Sequence, residues 1–217
     1  MRKISLLLIL LICFSSACTK QYKNVDEYSS DMKKVRQNLN NYTIIGNIDT
    51  LGNVILFKTF IKDNKWKTIS SLKDGYKFTY LYDGKDVYLY INDKILVKNP
   101  INPYAKQNKI STINGQNPTN PIIDWDFDEF KQPNDEPYKF KNNQIINGYK
   151  CRLVYTTDYE ACISDKYGIA VYANSSLKNQ EIKYNVTKIS NNTVPSEEFI
   201  VPTGLKTISA EEYSKIK

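Results

Sequence analysis

From Tyr42 onward the chain is a succession of short runs rich in Tyr, Ile, Val, Phe and Thr, each ended by a small cluster of turn formers. That pattern constrains the fold more than any other feature. Loops this short cannot carry a crossover, so consecutive strands must lie beside one another and run antiparallel. The first set reads Tyr42–Asp49, Asn53–Lys62, Lys65–Leu72, Lys77–Tyr82 and Asp86–Ile91. Its joints are Thr50-Leu51-Gly52-Asn53, Asp63-Asn64, Asp74-Gly75, Asp83-Gly84-Lys85 and Asn92-Asp93. A second set runs through 145–155, 160–165, 169–174 and 181–190 and closes with Phe199–Gly204. Alternation places Trp66 inward between outward Lys65 and Lys67, and puts Phe78, Tyr80 and Tyr82 on one face. The expectation is a mainly β (α+β) chain: a single strongly curved antiparallel sheet of about nine to eleven strands. Its concave side is lined by aromatic rings, and a packed core with no cavity is the competing reading.

One helix precedes the strands. Val25, Tyr28, Met32, Val35, Leu39 and Tyr42 step by three and four residues, a single stripe that must cover something apolar. Asn24 followed by Glu27 forms a helix-start signal of the capping-box kind. Between the strand sets, residues 99–143 hold six of the eight prolines: Pro100, Pro103, Pro118, Pro121, Pro133 and Pro137. The segment reads as a lid or insertion, and its apolar middle, Ile122–Phe130, as a short helical ledge.

Ahead of the helix stand Arg2 and Lys3, an apolar run from Ile4 to Phe14, then Ser15-Ser16-Ala17-Cys18. A basic start, an apolar run too short to span a bilayer and small residues at the cut define a secretory signal over 1–17. Cys18 directly after the small residues resembles the bacterial lipobox, so residues 18–23 are a tether and 24–217 one domain. Acylated Cys18 would hold the chain on a membrane, with several acyl chains giving firm attachment. Loss of 1–17 removes Arg2 and Lys3 and no acid, so the net charge falls from +7 to +5. The excess is almost all Lys, the pattern of solubility and attraction to anionic head groups rather than of nucleic-acid reading. Cys13 leaves with the signal. Cys151 and Cys162 remain in an oxidising compartment, on strands that face one another if they turn near Thr156–Thr157, and should form a disulfide.

There is no His in the chain. Triads, His-ligated metals and imidazole bases are therefore excluded, and no cofactor is called for. Asp124, Asp126 and Asp128 begin like a calcium loop, but Glu129 stands where Gly is needed and Asp135 where the bidentate Glu belongs. No base, metal set or phosphate loop accompanies them, so the chain reads as a non-enzyme without a metal site.

The order of these signals resembles a known family. A lipobox, an amphipathic helix and a meander containing Leu81-Tyr82-Asp83-Gly84-Lys85-Asp86-Val87-Tyr88 are similar to the LolA/LolB-like superfamily of bacterial envelope lipoprotein carriers. So are Ile146–Arg152, Ile163–Ala170 and the closing Glu198–Gly204. Ala170 stands where relatives often have Pro, and 99–143 has no obvious counterpart. The resemblance implies an unclosed half-barrel with helices as a lid and a cavity for acyl chains. The lining residues expected are Phe57, Trp66, Phe78, Tyr80, Tyr82 and Leu89, with Trp125 and Phe127 at the lid. A lipid or acyl chain is the implied ligand and an envelope protein the alternative partner. Thr19 after the acylated Cys, in place of the Asp that retains relatives on the inner membrane, implies the outer membrane.

Overall fold

The computed structural model describes residues 22–98, 138–177 and 180–214. Helix α1 spans Val25–Gln37. Asn24 caps it, its Oδ1 accepting from the Glu27 N–H at 2.9 Å, while Glu27 accepts from the Lys23 N–H at 3.0 Å. The periodic stripe outlasts the helix. Leu39 is buried beyond its end, and Tyr42 opens the first strand.

Among the described residues twelve strands follow: β1 Tyr42–Thr50, β2 Asn53–Lys62, β3 Lys65–Leu72, β4 Lys77–Tyr82, β5 Val87–Ile91, β6 Ile95–Lys98, β7 Lys139–Ile146, β8 Tyr149–Tyr155, β9 Tyr159–Ser164, β10 Ala170–Leu177, β11 Gln180–Asn191 and β12 Lys206–Ile208. They form one curved, unclosed sheet in the order β12-β6-β5-β4-β3-β2-β1-β11-β10-β9-β8-β7, the half-barrel expected. Two meanders therefore meet at β1 and β11. The turns match their chemistry: Asp63, Asn92, Asp93 and Asn147 take positive φ without glycine, as short polar side chains permit.

Several expectations need correction. Among the described residues the strands number twelve rather than nine to eleven, because β6 and β12 are short and were not separated from their surroundings. β12 pairs with β6 in parallel, so the sheet is not wholly antiparallel. The run 145–155 is two strands joined at Asn147-Gly148, and β7 takes residues 139–143 from the supposed insertion. Phe199–Gly204 is no strand. Pro195 and Pro202 cannot donate to a ladder, and this stretch instead crosses one face of the first meander as a strap. Its 3-10 turn, Ser196–Phe199, buries Phe199, which packs with Val194 on Phe60, Leu81 and Tyr90. Lys67 Nζ to Glu198 Oε2 and Lys62 Nζ to Ser196 Oγ, both 2.8 Å, pin it there. Short helix α2, Ala210–Ser214, ends the described chain, with Ser209 and Glu212 each accepting the other's backbone N–H.

The Cys151–Cys162 disulfide is present, with a Cα–Cα distance of 5.5 Å. The two are diagonal rather than directly opposed: Cys151 lies across from Ser164, and Cys162 across from Leu153.

Candidate binding face and the latch beneath the helix

The main core joins α1, through Tyr28 and Met32, to the sheet face that carries Ile44, Phe57, Trp66 and Tyr184. Register puts Phe57, Trp66, Phe78, Tyr80, Tyr82 and Leu89 all on this helix-side face. Ile61, Trp66, Tyr82 and Val87 form one cross-strand row. Thr59, Thr68, Tyr80, Leu89, Val97 and Ile208 form the next, and Phe57, Ser70, Phe78, Ile91 and Ile95 the third.

These side chains are in contact with one another. Trp66 and Tyr82 lie 6.3 Å apart between ring centres, and Phe78 and Tyr80 meet edge-on at 6.2 Å. Phe57 crosses Gly46 to stack on Tyr184 at 5.4 Å. A Cβ at Gly46 would strike the Phe57 ring and the Asn185 carbonyl oxygen, so only glycine lets the two rings meet across β1. Phe57, Trp66, Tyr82 and Leu89 are buried; Phe78 and Tyr80 are half-buried. The six divide between two clusters: Phe57, Trp66 and Tyr82 join the main core, with Tyr80 packed against it. Leu89 joins Ile91, Val97 and Ile208, with Phe78, Tyr80 and Tyr213 packed around them. Burial first, and then Asp83 and Asp86, push the Tyr82 hydroxyl pKa up, so it stays protonated.

Two polar features interrupt the rows. Thr59 and Thr68 satisfy each other at 2.8 Å. Ser70, flanked by Phe57 and Phe78, is fully buried, and its Oγ has no hydrogen-bond partner among the described residues. A buried hydroxyl without a partner costs about 1–3 kcal/mol. The sequence reading passed over Ser70, because a Ser in a strand carries no signal of its burial.

At the other meander a polar latch holds α1. The Tyr28 hydroxyl lies 2.9 Å from the Ile163 carbonyl oxygen and 3.1 Å from Asp165 Oδ1. Arg152, only 7% exposed, sets its Nε 3.3 Å from Asp165 Oδ2. Its guanidinium lies 4.7 Å from the Tyr22 ring centre and 5.5 Å from that of Tyr28. Desolvation, and next the Asp165 carboxylate, drive the Tyr28 hydroxyl pKa strongly upward. Gly168 makes the seat: its φ is +65°, and a Cβ there would run into the Met32 carbonyl and the Arg36 N–H of α1. An open cleft of about 400 Å³ lies alongside, lined by Tyr22, Asp31, Met32, Lys34, Val35, Arg152 and Asp165. The sequence reading did not single out this site; the one signal that could have pointed to it is that Arg152 is one of three Arg in the chain and stands between Cys151 and Leu153 in a strand.

Among the described residues no group of three or more His, Cys, Asp or Glu could hold a metal. No described helix is long and apolar enough to cross a membrane. Cys18, Trp125, Phe127, Asp124, Asp126 and Asp128 lie outside the described residues.

Sheet, helix and strap together define an unclosed β half-barrel with an aromatic face and a helix latched over one half. No protein-family model and no curated protein sequence matches the chain. Among solved structures, an uncharacterised conserved protein of Thermus thermophilus shares this fold: the TM-score is 0.51 at 8% identity, over 84% of this chain and 98% of that one. The Pseudomonas aeruginosa MucA/MucB complex overlaps at a TM-score of 0.44 and 11% identity, over 81% of this chain and 61% of that one. MucB in complex with MucA(peri) gives 0.45 and 10%, over 83% and 62%. The chain thus spans a little over 60% of those two neighbours. The likeness to the Thermus thermophilus protein is one of fold alone.

Proposed function

We propose that this chain is a non-catalytic bacterial envelope lipoprotein, anchored through acylated Cys18, that holds a lipid or lipoprotein acyl chain on the helix-side face of its half-barrel. The observation that carries this reading is Ser70 set among apolar rings. Phe57, Trp66, Phe78, Tyr80, Tyr82 and Leu89 supply a face bound by area, at about 0.8 kcal/mol per buried methylene. The Ser70 hydroxyl supplies a donor for the carbonyl oxygen at the head of such a chain. Trp125 and Phe127 complete the site in this proposal, and Thr19 assigns the anchor to the outer membrane. No chemistry beyond binding is required.

A second reading, a protein-binding envelope sensor or accessory module without lipid, draws on a different observation. The rings already touch one another, and the cleft beside α1 is lined by Asp31, Lys34, Arg152 and Asp165, groups suited to a polar partner.

One experiment separates the two. A Cys18→Ser variant, secreted but unacylated, is purified without detergent and extracted with organic solvent for mass spectrometry. The lipid reading expects near-stoichiometric acyl lipid, reduced severalfold by Leu89→Asp. A buried carboxylate at 89 also threatens folding, so Ser70→Ala is compared as well: it keeps the fold and weakens retention. Extracts free of lipid in the parent protein reject the first reading in favour of the second.

A further inference from the structure

We infer that the sheet edge formed by β7 and β8 is a membrane-facing surface that lies against anionic lipid head groups. The inference rests on the anchored reading above. Tyr22 is fixed against Arg152 of β8, 4.7 Å from ring centre to guanidinium carbon, and Cys18 is only four residues upstream. Four residues reach at most about 14 Å, so an acylated Cys18 brings the bilayer to this side of the molecule. Among the described strands the β6 and β12 edge lies at the opposite end of the sheet.

Charge points the same way. β7 and β8 carry Lys139, Lys141, Lys150 and Arg152 and not one carboxylate. The three lysines are exposed, whereas Arg152 is buried in the latch. Beside Lys150, and directly across from it, stands Ile145, 76% exposed. Lysine on an edge strand also discourages strand-to-strand association, but that purpose gives no reason to expose an isoleucine. An exposed lysine opposite an exposed aliphatic side chain, Lys150 against Ile145, with Lys139 and Lys141 farther along the same edge on its other face, suits an interface where ammonium groups meet phosphates and the alkyl group enters the head-group layer.

The test uses the full acylated chain in phosphatidylcholine vesicles with or without phosphatidylglycerol. Cys18 is acylated and Cys151 is bonded to Cys162, so Ile145→Cys or Lys73→Cys, the latter in the β3–β4 turn of the first meander, supplies the single reactive thiol for an environment-sensitive fluorophore. The expected result is a label at 145 quenched by aqueous iodide at least threefold less than a label at 73, on anionic vesicles. Lys139→Gln, Lys141→Gln and Lys150→Gln together should bring that ratio back toward one, as should high salt. An acylated chain that floats with its vesicles while both labels quench equally, or with the label at 73 the protected one, overturns this inference alone. A chain without acyl mass on its Cys18 peptide that does not float overturns the anchored reading and this inference with it.

Discussion

Between β2 and β6 neighbouring strands meet residue for residue, whereas the register shifts at three places elsewhere: within β7–β8, within β9–β10 and where β1 meets β11. Aligned strands build unbroken side-chain rows, so the first meander is held by apolar area and closed on its far face by the strap. Shifted strands leave backbone groups out of the ladder, and side chains must serve them. Asn147 Nδ2 donates to the Val186 carbonyl at 3.1 Å and reaches the Val171 carbonyl at 3.4 Å. Tyr149 Oη accepts from the Ile189 N–H at 2.6 Å. With the disulfide and the Tyr28–Asp165–Arg152 latch, these make the second meander a structure of specific ties. One half can lose a contact and repack; the other loses a tie outright.

The largest effect expected comes from emptying the first meander's core. Trp66→Ala removes a buried indole from between Ile61 and Tyr82 and should lower unfolding free energy by about 3–5 kcal/mol, read from the denaturant midpoint. Replacing the cystine with Cys151→Ala and Cys162→Ala together should cost about 2–3 kcal/mol for so short a loop. The contrast lies in where the damage falls. Hydrogen exchange should rise in β8 and β9 after the cystine is removed and in β2–β5 after Trp66→Ala. If both variants loosen the whole sheet alike, the two halves are one cooperative unit and the comparison fails.

Tyr28→Phe sharpens the contrast with less disturbance. It keeps the ring against Phe140 and removes only the hydroxyl, so about 1 kcal/mol is expected, with faster exchange confined to α1. The same group gives a pH dependence. Burial holds the Tyr28 and Tyr159 hydroxyl pKa values well above the ordinary value of 10, and burial together with the Glu160 hydrogen bond takes Tyr172 to about 12. The folded state thus keeps protons that the unfolded chain releases. Their stabilisation is intact below pH 10 and should drain away as pH climbs through 12. Absorbance of tyrosinate followed against far-ultraviolet dichroism should show these tyrosines ionising only as the sheet unfolds.

Legibility followed the same division. β2, β3 and β4 came from the sequence with their bounds intact, because alternation and turn residues act locally and nothing shifts the register between them. Lys139–Asn143 was assigned to an insertion, because Asn-rich sequence around a shifted register carries no alternation to read. Phe199–Val201 looked like a strand since apolar β-formers between prolines suit either a strand or a strap, and only packing on Phe60 and Leu81 decides. On the candidate face, Trp66, Tyr80 and Tyr82 were readable from period-two spacing. Ser70 and the partners of Arg152 were not, as both depend on contacts between distant residues.

The smallest effect expected is a gain. Leu51 and Gly52 form the tip of the β1–β2 hairpin, both at positive φ, +53° and +82°. That backbone favours Asn-Gly, since a bulky side chain in the left-handed region is crowded against its own backbone. Asp49 Oδ1 accepts the Gly52 N–H at 3.0 Å and already steadies the turn, so Leu51→Asn leaves that bond in place. Leu51 is 67% exposed, so little packing is lost with it. Leu51→Asn should therefore raise the denaturant midpoint by the equivalent of about 0.5 kcal/mol, with β8–β9 exchange unchanged. A loss instead would mean that the leucine side chain contributes packing its exposure does not reveal, and that the first meander, too, depends on a specific tie at its tip.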